Sequence, residues 1–293
     1  MKIKSSVSYR CFTIFNTLFM IFIALIMIYP ILYVVFASLS DSNALMQYSG
    51  LIFSPIGFNT TAYEAVFKNP MIWSGYKNTL YILVFGVSLN MVMTTVAAYV
   101  LSRKGLPGKN AMMFFIVFTM YFGGGLIPFY LTVKNLGMYD SLWALILPGA
   151  VSAYNMIIMR TSFCGIPDSL EESAMLDGAN HLYIMVRIVV PLSKSVMAVM
   201  VLYYAVGHWN SWFNAMVFLR DRSKYPLQLV MQEILIQNDT SSMTTDSTLL
   251  ERNSIAETIK YASIMVSTVP ILLVYPFLQK YFVKGVLIGA VKG

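Results

Sequence analysis

Apolar residues run through this chain in long blocks without charge, separated by short polar stretches. Six windows contain no Asp, Glu, Lys or Arg: Phe12–Phe36, Asn78–Leu101, Ala111–Val133, Leu142–Met159, Val196–Leu219 and Ala262–Gln279. Each is 18 to 25 residues long, and about 20 apolar residues cross the roughly 30 Å hydrocarbon core as a helix. The pattern predicts an all-α membrane protein, one domain over residues 1–293 with six transmembrane helices. Lys2, Lys4 and Arg10 ahead of the first window look like the start of a secretory signal. Its 25 apolar residues exceed the about 7–15 of a signal core, so a retained first span is expected.

The connections differ in character. Asp41–Lys77 mixes Ser, Asn, Gly and Pro with aromatics and reads as a short structured surface segment. Ser102–Asn110, "SRKGLPGKN", is a tight turn that lacks the full phosphate-loop spacing. Arg220–Tyr261 is a polar loop of 42 residues, a length found mostly in functional or mobile segments. No internal repeat is evident.

Composition and charge sharpen the picture. Of 293 residues 58% are hydrophobic and 11% charged, with a mean hydropathy of +0.68, whereas soluble domains carry about 25% charged residues. With both termini in the cytoplasm, twelve of the 20 basic residues and four of the 13 acids face inward, leaving +8 inside and −1 outside. That asymmetry follows the positive-inside rule, so the pI of 9.2 needs no nucleic-acid partner. Cys11 and Cys164 both fall near the cytoplasmic face without metal-ligand spacing, and no metal site is expected.

Two spans carry unusual chemistry. "YFGGGLIPFY", Tyr121–Tyr130, places three glycines and a proline inside the third window; close helix packing is the favoured reading and a pore-lining kink the alternative. "YYAVGHWNSWFNAMVFLR", Tyr203–Arg220, crowds Trp209, Trp212, Asn210, Asn214 and His208 into the outer half of the fifth. An interfacial aromatic belt accounts for the tryptophans, while amides inside a span need partners. Aromatic rings beside amides also suit sugars, so Tyr121, Tyr204, Trp209, Asn210, Trp212 and Asn214 are candidate substrate-path residues.

The stretch 166–194, "IPDSLEESAMLDGANHLYIMVRIVVPLSK", is a polar island between two apolar windows. Asp168 reads as an N-cap and Glu171 as its capping-box partner. Asp177-Gly178 supplies a stop, and a second helix runs from about Asn180 toward Val190. A connector lying on lipid is the bland reading, but such helices favour Lys and Arg on the polar face. An acidic helix fits a basic groove on another protein better.

Within that island, Glu172-Ser173-Ala174, three residues, Gly178, nine residues, Ile188, one residue and Val190-Pro191 resemble the EAA signature of bacterial ABC-importer permeases. The family pattern has Ala at the second position and Leu before the proline, so Ser173 and Val190 are conservative departures. "LDGAN", "GGGLIPFYLTVKNLGMYDSLWALILP" and the terminal "VKGVLIGAVKG" are similar to the carbohydrate-uptake branch. The resemblance implies the maltose-type, type I importer fold and a cytoplasmic coupling helix seated in an ATPase cleft. Carried over, Glu171, Glu172, Ser173, Ala174, Asp177, Gly178, Ile188 and Pro191 belong to the ATPase-coupling segment, with Glu172 facing the ATPase. Gly289, Lys292 and Gly293 belong to a tail that reaches between ATPase subunits.

The implied function is one permease subunit of an importer for an oligosaccharide or related glycan in the bacterial plasma (inner) membrane. Its implied partners are a second homologous permease, an ATPase dimer, an extracellular solute-binding protein and lipid. The chain itself needs no cofactor, since ATP and Mg are held by the ATPase, and it is a transport subunit without catalytic residues. A non-sugar solute is one alternative. An ion-coupled secondary transporter is a weaker one, because no window holds a carboxylate.

Overall fold

The computed structural model describes residues 7–236, 256–273 and 276, and all regular structure among them is helical. The first helix, α1 (Val7–Ser38), is followed by α2 (Ser42–Gln47), α3 (Thr61–Lys68) and α4 (Pro70–Ser102). Next come α5 (Lys109–Tyr121), α6 (Leu126–Asn135), α7 (Trp143–Ile146) and α8 (Ala153–Cys164). The polar island forms α9 (Asp168–Leu176), then α10 (His181–Ile184), a π-helical turn over Met185–Val189 and α11 (Val190–Leu192). Then α12 (Lys194–Trp209), α13 (Phe213–Phe218), α14 (Leu227–Ile236) and α15 (Ala256–Leu273) complete the described helices.

The chain divides into two compact units, Met1–Asn69 with Glu233–Val269, and Pro70–Gln232 with Pro270–Gly293. In the first, Ala37, Leu45 and Ile52 form a small core edged by Tyr33, Phe36 and Tyr261. Asp41 caps α2 by accepting from the Asn43 and Ala44 N–H groups, and the Ser42 and Thr258 hydroxyls pair at 2.7 Å. Most of α1 exposes its apolar side chains all round, as a helix solvated by lipid does.

In the second unit α4 is the central member. Ala98, Tyr99 and Leu101 pack with Met156, Met159 and Phe163 of α8, and with Ile184, Val189 and Met200 of the segments beyond. Further up, Ile82 joins Val133, Ile146 and Phe218 in a separate cluster.

Among the described residues, not every apolar window is one continuous helix. Among the described residues three helices are long and apolar enough to cross a membrane, Ser8–Ser38, Pro70–Ser102 and Ala256–Leu273, or five if each of two bent pairs counts as one span. The third window breaks after Tyr121, and α5 and α6 meet at 113°. Three glycines fill the break, and Gly125 adopts φ +84° there, a conformation that side chains resist. The fourth window divides at Pro148-Gly149, because proline lacks the N–H a continuous helix needs. The fifth stops at Trp209, where the Asn210 amide donates back to the Val206 carbonyl at 3.0 Å. Of the sixth, residues 274, 275 and 277–279 lie outside the described residues.

The polar loop 220–261 is also corrected at its start. A 3₁₀ turn at Arg222–Lys224 leads into α14, whose Leu227, Leu229, Val230, Met231 and Ile234 are buried. Apolar spacing hidden inside a polar stretch made this a helix.

Candidate coupling segment and translocation cavity

The island forms a helix, a turn and a second helical run, as its pattern predicts, but its start is built differently. Pro167, not Asp168, is the N-cap residue, and no side chain caps the helix. Asp168 and Glu171 are drawn instead to the turn after α4: Asp168 pairs with Lys104, and Glu171 with Arg103. The bond to Asp168 raises Lys104 above its ordinary pKa, while burial lowers that of Arg103. Both carboxylates thus pair across the fold with cations from the α4–α5 connection instead of with the backbone of their own helix.

The turn is a Schellman motif. The Gly178 N–H donates to the Met175 carbonyl at 3.0 Å and the Ala179 N–H to Ala174 at 2.9 Å, with Gly178 at φ +82°. Asn180 then caps the second run, accepting from the Tyr183 N–H at 2.8 Å. Pro191 lies inside the helical run, directly after the π-helical turn. The wider turn relieves the clash that a proline ring makes with the preceding turn of an α-helix. The run ends at Ser193, and α12 leaves at 87°.

Within the segment, Ala174 and Ile188 pack against the core, and Glu171 is buried. Glu172, Ser173, Asp177, Gly178 and Pro191 are exposed. Apolar side chains stand out beside them. Leu176 is 90% exposed, and Met175, Leu182 and Tyr183 are also open. Acidity alone had marked this face, and the apolar knob adds to it. The tail residues Gly289, Lys292 and Gly293 lie outside the described residues.

Where the third, fourth and fifth windows break, the second unit holds a cavity of about 300 Å³. Phe129, Ala144, Leu145, Pro148, Gly149, Gly207, His208, Ser211 and Asn214 line it. Its wall is fixed by one buried amide on α4. Asn90 Nδ2 donates to the Gly149 carbonyl at 2.6 Å, and its Oδ1 lies 2.7 Å from His208 Nε2, making that nitrogen the donor. Gly86 admits the imidazole, since a Cβ there would stand 2.7 Å from Nε2. One turn further, the Tyr204 hydroxyl pairs with Thr94 at 2.6 Å and accepts from the Ser152 N–H at 3.1 Å.

Of the candidate substrate-path residues, only Asn214 lines this cavity. Tyr204 is buried in its support. Trp209 is buried edge-on to Tyr76, and its Nε1 has no hydrogen-bond partner among the described residues. Asn210 closes the end of α12, Trp212 stacks edge-on against Phe213, and Tyr121 is 77% exposed at the end of α5. The sequence reading passed over Asn90, Phe129, Gly149 and Ser211. Asn90, an amide inside a charge-free window, carried a readable signal; the others show only once the breaks are known.

Comparison with known proteins places these features in a family. The binding-protein-dependent transport system inner membrane component matches residues 83–288. The polygalacturonan/rhamnogalacturonan transport system permease protein YtcP of Bacillus subtilis (strain 168) is 42% identical over 280 residues, 94% of this chain and 96% of that one. Protein LplC of the same organism is 41% identical over 284 residues, covering 97% and 96%. A crystal structure of a bacterial ABC transporter involved in import of the acidic polysaccharide alginate has a similar chain, with a TM-score of 0.87 and 33% identity. The match covers 96% of this chain and all of that one.

Proposed function

This chain belongs to the binding-protein-dependent inner membrane permeases of ABC importers, and from that premise we propose its assembly and its cargo. It is a transport subunit rather than an enzyme, a multi-pass inner membrane protein working with an ATPase and a solute-binding protein. In the assembly proposed here the chain crosses the membrane six times, with both termini in the cytoplasm, and pairs with a second homologous permease. Segment 166–194 seats in the ATPase, and residues 289–293 reach between its subunits. ATP and Mg are bound there, not by this chain.

The observation that carries this reading is the apolar and acidic tip of the segment. Leu176 stands 90% exposed, and burying such a side chain is worth about 1.5–3 kcal/mol. Exposed Glu172 and Asp177 flank it, which suits a partner groove with an apolar floor and a basic rim.

The cargo we propose is an acidic, uronate-containing oligosaccharide. Similarity to a polygalacturonan/rhamnogalacturonan permease and to an alginate importer supports that class. The cavity offers an aromatic ring, a histidine, a hydroxyl and an amide, and no carboxylate among its lining residues. Its volume is at the lower end of ligand pockets, about 300–1,000 Å³, with room for part of a glycan chain.

The test is ATP hydrolysis by the reconstituted complex with its binding protein, measured across a panel of acidic and neutral oligosaccharides. Acidic oligosaccharides are expected to stimulate hydrolysis. Stimulation by neutral ones alone would refute the cargo, and by a non-sugar solute alone would refute the glycan class.

A further inference from the structure

Glu171 and Glu172 are neighbours on α9 with opposite surroundings. Glu172 is exposed, whereas Glu171 is buried and turned back onto the chain, where it meets Arg103. Arg103 is itself held on several sides. Its guanidinium lies 4.8 Å from the Tyr99 ring centroid, and Nε and Nη2 donate to Ser102 Oγ at 3.0 and 2.8 Å. Four residues back on the same helix face, the Tyr99 hydroxyl is 3.1 Å from His181 Nδ1. The end of α4 thus grips the segment at two points, one on each side of the Gly178 turn.

We propose that this double grip, Arg103–Glu171 with Tyr99–His181, makes the segment and α4 move as one body, and that Arg103 is a positioning residue for coupling. The proposal rests on the reading that segment 166–194 receives the ATPase. Apolar burial holds the segment against α4 but is itself non-directional. Two directional contacts on either side of a turn fix an orientation. A buried ion pair contributes little net stability, and its best-attested use is to specify one arrangement.

The same helix leads to the cavity. Thr94 holds Tyr204, which accepts from the Ser152 N–H. Asn90 holds Gly149 and His208, both in the cavity wall. A displacement imposed on α9 therefore passes through Arg103, one residue beyond α4, and reaches the cavity wall along that one continuous helix. Such a route is established only by measured coupling.

The experiment uses the complete importer in proteoliposomes, with Arg103→Gln, the exchange pair Arg103→Glu with Glu171→Arg, and Tyr99→Phe. For Arg103→Gln the ATPase is expected to stay bound and basal hydrolysis to hold, while substrate uptake per ATP falls about ten-fold. The exchanged pair restores most of that loss. Tyr99→Phe keeps the ring but not the bond to His181, and lowers uptake per ATP about three-fold. Unchanged uptake per ATP in both single variants overturns the proposal. So does loss of the bound ATPase, which would make the pair a support for docking, and so does an exchange that restores nothing. If the Arg103→Gln permease itself fails to fold or insert, Tyr99→Phe decides alone. A parallel Glu172→Lys complex separates the underlying reading: unimpaired docking there refutes ATPase seating on this face, whatever the Arg103 variants do.

Discussion

Gly178 does its work through backbone geometry alone. At φ +82° it closes the Schellman turn, and a Cβ there would meet nothing within 4 Å. Gly178→Ala is therefore expected to destabilise the segment by about 1 kcal/mol through left-handed strain, and Gly178→Asn by less. Thermal unfolding of the purified chain in detergent measures both. Asp140 is the opposite case, a residue defined by its partners. At φ 55° it accepts from the Arg220 and Asp221 N–H groups at 2.9 and 3.0 Å and from Lys224 Nζ at 2.7 Å. The Asp221 N–H, Lys224 and the Arg220 N–H lower its pKa to about 2. A carboxylate whose folded value is depressed stabilises the fold fully above its unfolded value of about 3.9. That contribution is lost as pH falls through about 2. Limited proteolysis around Arg220–Lys224 is expected to rise across that interval with acid protease, and Asp140→Asn to open the same segment to trypsin at neutral pH.

At the scale of elements, the turn and the second helix were legible because their signals are local. Asp177-Gly178 and Asn180 act within four residues of themselves. The capping box was misread because Asp168 and Glu171 pair with Lys104 and Arg103, 64 and 68 positions away, and no local pattern contains those partners. The exposed face is the one proposed to meet the ATPase. Glu172→Lys reverses a charge beside Leu176 without touching the core, so insertion and folding are expected to persist while ATPase recovered with the permease drops about ten-fold. Quantifying the two subunits after affinity purification checks this. Equal recovery would remove Glu172 from the docking surface.

Over the whole molecule, charge-free windows marked the long apolar regions but neither their continuity nor the apolar helix Leu227–Ile236 inside the polar loop. Composition and spacing determined a helical membrane protein, its polar island and, through the matched Glu172, Gly178, Ile188 and Pro191, its family. These properties depend on residue chemistry counted along the chain, since about 20 apolar residues have few fates other than a membrane. Tertiary structure decided the rest. It broke three windows, assembled a cavity at the breaks, and set Asn90 against Gly149 and His208 across 59 and 118 positions. It also turned Glu171 inward while leaving Glu172 outside. Buried polar groups take whatever partner folding brings within hydrogen-bond reach, and that choice is made in space, between residues that the chain order keeps far apart.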